Sequence, residues 1–196
     1  TENIIEDSGK NMLIYKLLKE NMDNLHYFNK ISRKQGFIGV VSKTITEFKK
    51  YNIAEETLIN KKEELNEGEL RDKIEDLSFI YHEFNDNLHK NYIDSEDVLS
   101  LLAEKLKESH MYRDAEIWID EFTTFTPQQM EIIKILGKRC KRVNITLCSE
   151  GKNEEETDIF DAIKNTEYKL LKLMEENNIS YEKPINLNKD IPYRFK

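Results

Sequence analysis

The sequence predicts a mostly helical α/β fold with a small parallel sheet, and three observations carry that expectation. Apolar residues recur at helical spacing through most of the 196-residue chain. Only two runs, Ile117-Trp118-Ile119 and Val143 to Cys148, have strand character, and the second is expected to run parallel to the first. The composition, 35% charged and 38% hydrophobic with three Pro and six Gly, is that of a soluble, helix-rich protein without low complexity.

Length allows one large domain, or a domain with an appended lobe, and a substantial core. No run is apolar and long enough to span a bilayer, and no signal peptide is present. Two cysteines without metal spacing, Cys140 and Cys148, suit a reducing cytosol, so a cytoplasmic location with no membrane association is expected. Thr at position 1 and a motif cut short at the end suggest an internal piece of a longer protein. The net charge of −8 is not that of a stand-alone nucleic-acid binder, which displays a basic face. The acids of Glu55-Glu56, Glu63 to Glu69 and Glu150 to Asp158 read as solvated helix faces and a loop.

Taken in order, Asp7-Ser8-Gly9-Lys10 opens a first helix with apolar positions at Leu13, Leu17, Leu25 and Phe28. Ser8-Gly9-Lys10 does not make a phosphate-binding loop. Ile4 stands where that loop needs Gly, Asn11 replaces its Ser or Thr, and no strand is expected before it. A second helix from Gly36-Phe37 to Tyr51-Asn52 turns inward Phe37, Val40 or Val41, Thr44-Ile45 and Phe48, leaving Lys43, Lys49 and Lys50 as solvated charges able to touch a phosphate backbone. Leu70, Ile74, Leu77, Tyr81, Phe84 and Leu88 alternate four and three apart, an apolar seam on a third helix. His82 and His89 on that helix lack a carboxylate or thiolate to complete a metal set. Asp94 or Ser95 caps the next helix, whose inner residues are Val98, Leu101, Leu102 and Leu106.

Ile117-Trp118-Ile119 is then a strand expected to be buried on both faces, ending in Asp120-Glu121. Ligands of open α/β sheets bind beyond the carboxyl ends of strands. Thr126-Pro127 reads as N-cap and first residue of a helix with Met130, Ile133 and Ile135-Leu136 on its apolar face. Two readings stand on these residues alone. An apolar strand ending in Asp-Glu before a short loop and helix has the architecture of a Walker B element, in which Asp holds Mg²⁺ and Glu orients the attacking water. Alternatively, Asp120 merely ends a strand and Glu121 is a solvated loop acid. Lys138, Arg139, Lys141 and Arg142 complement the helix C-terminus and are also the best candidates for contacting DNA. Phe160, Ile163, Leu170 and Met174 mark a last helix, and Ile179 to Leu187 a possible last strand.

Asp120-Glu121-Phe122 with Pro127 and Gln129 resembles motif II of UvrD-type superfamily-1 helicases, departing at Thr123-Thr124 where those helicases carry Gln-Asp. The form from Ile119 to Gln129 is more similar to the AddB family, whose members are components of bacterial AddAB helicase-nucleases. Gln35 to Ile38, Thr46 to Lys49 and Tyr92-Ile93-Asp94 extend the resemblance. The truncated Pro192 to Lys196 looks like the start of the family's Arg-Phe segment. The resemblance implies a fragment of a P-loop NTPase, superfamily-1 helicase-like, domain with an inserted helical subdomain. Residues 1–110 would be that insertion (1B-like), and 111–196 part of the α/β core. It further implies a scaffold that contacts DNA and an AddA-type partner during end resection. ATP and Mg²⁺ would serve the parent protein, Asp120 binding Mg²⁺ only beside an intact P-loop, and an iron-sulfur cluster would lie outside this chain.

Two other readings accompany this one. One is an acidic helical interaction module in which Asp120-Glu121 is incidental. The other is a working P-loop ATPase whose Walker A lies outside this chain. The chain on its own is expected to bind no cofactor, to turn over neither ATP nor DNA, and to bind DNA weakly.

Overall fold

A computed structural model describes residues 3–32, 34–88, 92–148 and 160–185. Its contacts divide the chain into two units, residues 1–101 and 102–196.

The first unit contains β1 (Ile4–Ile5), α1 (Asp7–Glu20), α2 (Gln35–Lys50), α3 (Glu55–Glu64), α4 (Glu69–Leu88), β2 (Ile93–Asp94) and the start of α5 (Val98–Glu108). Its core follows helical spacing: Ile14, Leu17 and Leu18 from α1, Ile38, Val41 and Ile45 from α2, and Ile80, Tyr81, Phe84 and Leu88 from α4. The inward residue of the Val40-Val41 pair is Val41, while Val40 is exposed. In the α4 seam, Leu70 is exposed and the buried positions lie from Asp76 onward. Leu58 of α3, the helix formed by the acid-rich Glu55 segment, joins the same core.

Two expectations for this unit need correction. A short strand does precede Ser8-Gly9-Lys10, because β1 pairs in parallel with β2, Ile4 facing Ile93 and Ile5 facing Asp94. The three residues nevertheless lie inside α1, and the Lys10 N–H already donates to Glu6 O at 2.9 Å, so no open anion-binding loop forms. A Cβ on Gly9 would come 2.9 Å from the Ile5 side chain, so this glycine permits the close approach of α1 to β1. The first helix also ends at Glu20, before Leu25 and Phe28. Leu25 is buried all the same, because the chain from 26 to 28 is tied to α4. Asp76 accepts backbone N–H bonds from His26, Tyr27 and Phe28 at 2.9, 2.9 and 2.8 Å.

The second unit holds the rest of α5, β3 (Glu116–Ile119), α6 (Pro127–Arg139), β4 (Arg142–Ile145) and α7 (Asp161–Glu176). β3 and β4 are parallel neighbours, with Ile117 opposite Val143 and Ile119 opposite Ile145. Burial on both faces does not occur. Side chains alternate across a strand, and while Ile117 and Ile119 are half-buried, Trp118 is 69% exposed. Ile133 and Ile135 of α6 are buried, and Ile135 packs with Ala103 and Leu106 of α5. Ile163, Thr166 and Leu170 are the buried positions of α7.

The strand expected over Ile179 to Leu187 is absent among its described residues, through Ile185. Ile179 N–H donates to Met174 O at 2.9 Å, a helix C-terminal bond that withdraws it from any ladder. His89, the Glu150–Asp158 loop and the Pro192–Lys196 segment lie outside the described residues. Among the described residues, no helix is long and apolar enough to cross a membrane.

Candidate functional site

Asp120 follows β3 directly, at the carboxyl end of the parallel pair. Its Oδ1 accepts the Thr146 hydroxyl, from the residue following β4, and the Glu121 N–H at 2.9 Å. The Thr146 hydrogen bond, then that of Glu121, hold the Asp120 carboxyl below its ordinary pKa, so it is ionised at neutral pH. Glu121 adopts φ 65°, a left-handed conformation unusual for a side chain with a Cβ, and its carboxylate is exposed.

The remaining motif residues have identifiable local work. Thr126 and Gln129 form a reciprocal capping box. The Gln129 N–H donates to Thr126 Oγ1 at 3.3 Å, and the Thr126 N–H donates to Gln129 Oε1 at 2.8 Å. Pro127 occupies the first turn, where its missing N–H costs nothing. Phe122 stacks on Phe125, ring centroids 5.0 Å apart, and the Thr166 hydroxyl of α7 donates to Thr123 O at 2.8 Å. The loop from Asp120 to Thr126 is therefore held at both ends.

Magnesium commonly keeps several waters and takes one or two carboxylates plus substrate phosphates. Asp120 fits such a role with a single oxygen, since Oδ2 has no partner among the described residues. The same residues hold no group of three or more His, Cys, Asp or Glu able to bind a metal unaided. An iron-sulfur cluster requires about four thiolates, and two cysteines do not supply them.

The four candidate DNA-contacting cations all have partners within the chain. Lys138 donates to Asn177 Oδ1 at 3.0 Å, and Lys141 lies 3.1 Å from Glu116. Arg142 reaches Glu182 at 2.7 Å and Asn144 at 3.1 Å. Arg139 donates to Lys107 O and Ser109 O, closing the C-terminus of α5.

The most buried charges of the first unit were not anticipated from the sequence. Lys49, expected as a solvated charge, is 5% exposed, and Lys10 is 1% exposed. Lys10 Nζ lies 2.9 Å from Asp94 Oδ1 and 3.2 Å from Thr46 Oγ1. Lys49 Nζ lies 2.6 Å from Asp97 Oδ2 and 3.4 Å from Asp94 Oδ2. Asp94 also accepts the Glu96 N–H at 3.2 Å, so the expected cap exists, but its carboxylate is fully buried between two ammonium groups. A signal was present in the helical phase. Lys10 precedes Ile14 and Leu17 by four and seven residues, and Lys49 follows Ile45 and Val41 by four and eight. Both cations thus sit on the core stripe, where a charge needs a buried partner.

Compared with known proteins, the chain matches the family described as ADDB, N-terminal, over residues 1–196. It is 47% identical over 196 residues to the ATP-dependent helicase/deoxyribonuclease B-subunit of Clostridium botulinum (strain Loch Maree / Type A3), covering 98% of this chain. To the protein of the same name from Clostridium perfringens (strain 13 / Type A) it is 50% identical over 198 residues, and to that of Thermoanaerobacter sp. (strain X514) 44%, each covering the whole chain. The chain spans 17% of the length of each of these curated relatives.

Proposed function

Since the chain belongs to the family of ADDB N-terminal regions, we propose that it is the helicase-like scaffold region of an AddB-type subunit. In this reading the whole protein works with an AddA-type partner as an ATP-dependent helicase-exonuclease in the cytoplasm. There it resects DNA ends in double-strand-break repair and recombination. Residues 1–110 form the helical insertion and 111–196 part of a superfamily-1 helicase-like, P-loop core. The relatives' printed name supports a helicase and deoxyribonuclease assembly with more than one subunit.

The observation that carries the scaffold reading is the disposition of charge. Asp120 lies at the carboxyl end of a parallel strand, where a Walker B acid belongs, yet it is already bonded to Thr146 and Glu121. Lys138, Arg139, Lys141 and Arg142 are committed within the chain. ATP, when bound to the whole protein with Mg²⁺, supplies a phosphoanhydride for hydrolysis. This chain's contribution is an ionised, oriented Asp120 beside Glu121.

The test is titration of labelled single-stranded and duplex DNA at two salt concentrations, with this chain and with the assembled full-length subunits. Non-specific affinity comes mostly from neutralised phosphates and falls with salt in proportion to their number. The chain alone, at net charge −8, should bind weakly with a shallow salt slope, and the assembly far more tightly. Tight, sequence-selective binding by the chain alone would overturn the scaffold reading.

A further inference from the structure

The Asp120 carboxylate is held from a neighbouring strand. Thr146 is half-buried, and its backbone N–H donates to Ile119 O at 3.0 Å, which extends the β3–β4 ladder one residue past β4. That rung fixes the Thr146 backbone beside Asp120, and the Thr146 hydroxyl donates to Asp120 Oδ1. The Glu121 N–H donates to the same oxygen at 2.9 Å. With Oδ1 doubly bonded, the side chain cannot exchange its two oxygens without breaking both bonds, and Oδ2 stays outward.

We propose that Thr146 is the positioning residue of Asp120, its hydroxyl occupying Oδ1 so that Oδ2 is presented to a magnesium ion arriving with a nucleotide. The proposal rests on the Walker B-like reading of Asp120. Outer partners that orient a ligating carboxylate change metal affinity about 10–100-fold when removed. Thr146→Val leaves the Glu121 N–H in place, so the effect belongs at the lower end of that range. Thr146→Ser keeps the hydroxyl.

The experiment uses the full-length protein assembled with its partner. Calorimetry measures its affinity for a non-hydrolysable ATP analogue across a magnesium series, for wild type, Thr146→Val, Thr146→Ser and Asp120→Asn. Thr146→Val should raise the magnesium concentration for half-maximal enhancement about 10-fold. Its affinity without magnesium should match wild type, which also reports an intact fold, and Thr146→Ser should behave as wild type. If Thr146→Val leaves the magnesium response unchanged while Asp120→Asn abolishes it, Thr146 has no positioning role and the Walker B-like reading survives. Equal loss in Thr146→Val and Thr146→Ser would assign the effect to packing and overturn the proposal. A full magnesium response in Asp120→Asn would overturn the Walker B-like reading and this proposal together.

Discussion

Lys10 and Asp94 form an ion pair at 2.9 Å with side chains 2% and 0% exposed, joining the first turn of α1 to the end of β2. Breaking a buried pair by removing one partner is far costlier than replacing both, because a charge is left without compensation. Asp94→Asn leaves Lys10 with only the Thr46 hydroxyl. We expect a loss of about 3–5 kcal/mol in urea unfolding followed by helical circular dichroism. Asp97→Asn should cost less, since Asp97 is 24% exposed and Lys49 keeps Asp94.

The same cluster sets an acid limit. Burial disfavours the Asp94 carboxylate, but the Lys10 hydrogen bond, the Lys49 and Lys10 charges and the Glu96 N–H outweigh it and hold the pKa below its ordinary value. A depressed carboxylate pKa contributes stability that is complete above the unfolded value, about 3.9, and disappears as pH falls through the folded value. The stability difference between wild type and Asp94→Asn should therefore be constant from neutral pH down to about pH 5 and shrink below about pH 4. Urea midpoints measured for both proteins across that range check it.

Asp76 is 1% exposed and accepts three consecutive backbone N–H groups, those of His26, Tyr27 and Phe28. An amide in its place turns an NH₂ group toward at least one of those donors. Asp76→Asn should destabilise the first unit by roughly 3 kcal/mol. Amide hydrogen exchange at residues 26–28 should accelerate more than exchange within α2. Unchanged protection at those three amides would contradict this account.

These charges show where the sequence is legible and where it is not. The parallel pairing of β3 with β4 and the Thr126-Pro127 helix start were readable, because each depends on residues within a few positions. Asp94 was readable as a cap for the same reason. Its lysines come from 84 and 45 positions earlier, beyond any local pattern, although their core phase marked them. Trp118 was misread because an apolar triplet is equally compatible with one covered face. The Asp120 bond to Thr146 joins residues 26 apart, across strands whose register no single run fixes.

Gln129, which resembles a helicase motif residue, completes the capping box through its side-chain Oε1. Gln129→Glu retains that acceptor and should leave stability nearly unchanged. Thr126→Ala loses the hydroxyl acceptor and should cost about 1 kcal/mol. If the two variants were equally destabilised, the cap would not be the source of the effect.

The chain alone should not hydrolyse ATP. One open carboxylate oxygen on Asp120 gives magnesium no defined position without phosphates held beside it. Phosphate release in magnesium and ATP should equal that of Asp120→Asn, and turnover above that control would refute the expectation.

Trp118 is the single tryptophan of the chain and 69% exposed, on the strand position opposite Asn144. Its indole is a native optical reporter for that face. Emission from the free chain should be red and readily quenched by iodide. Whatever settles over β3 would shift it to the blue and shield it, with no dye attached. Packing changes confined to the core of α1, α2 and α4 would leave the signal silent, so fluorescence separates events at this strand from events in the first unit.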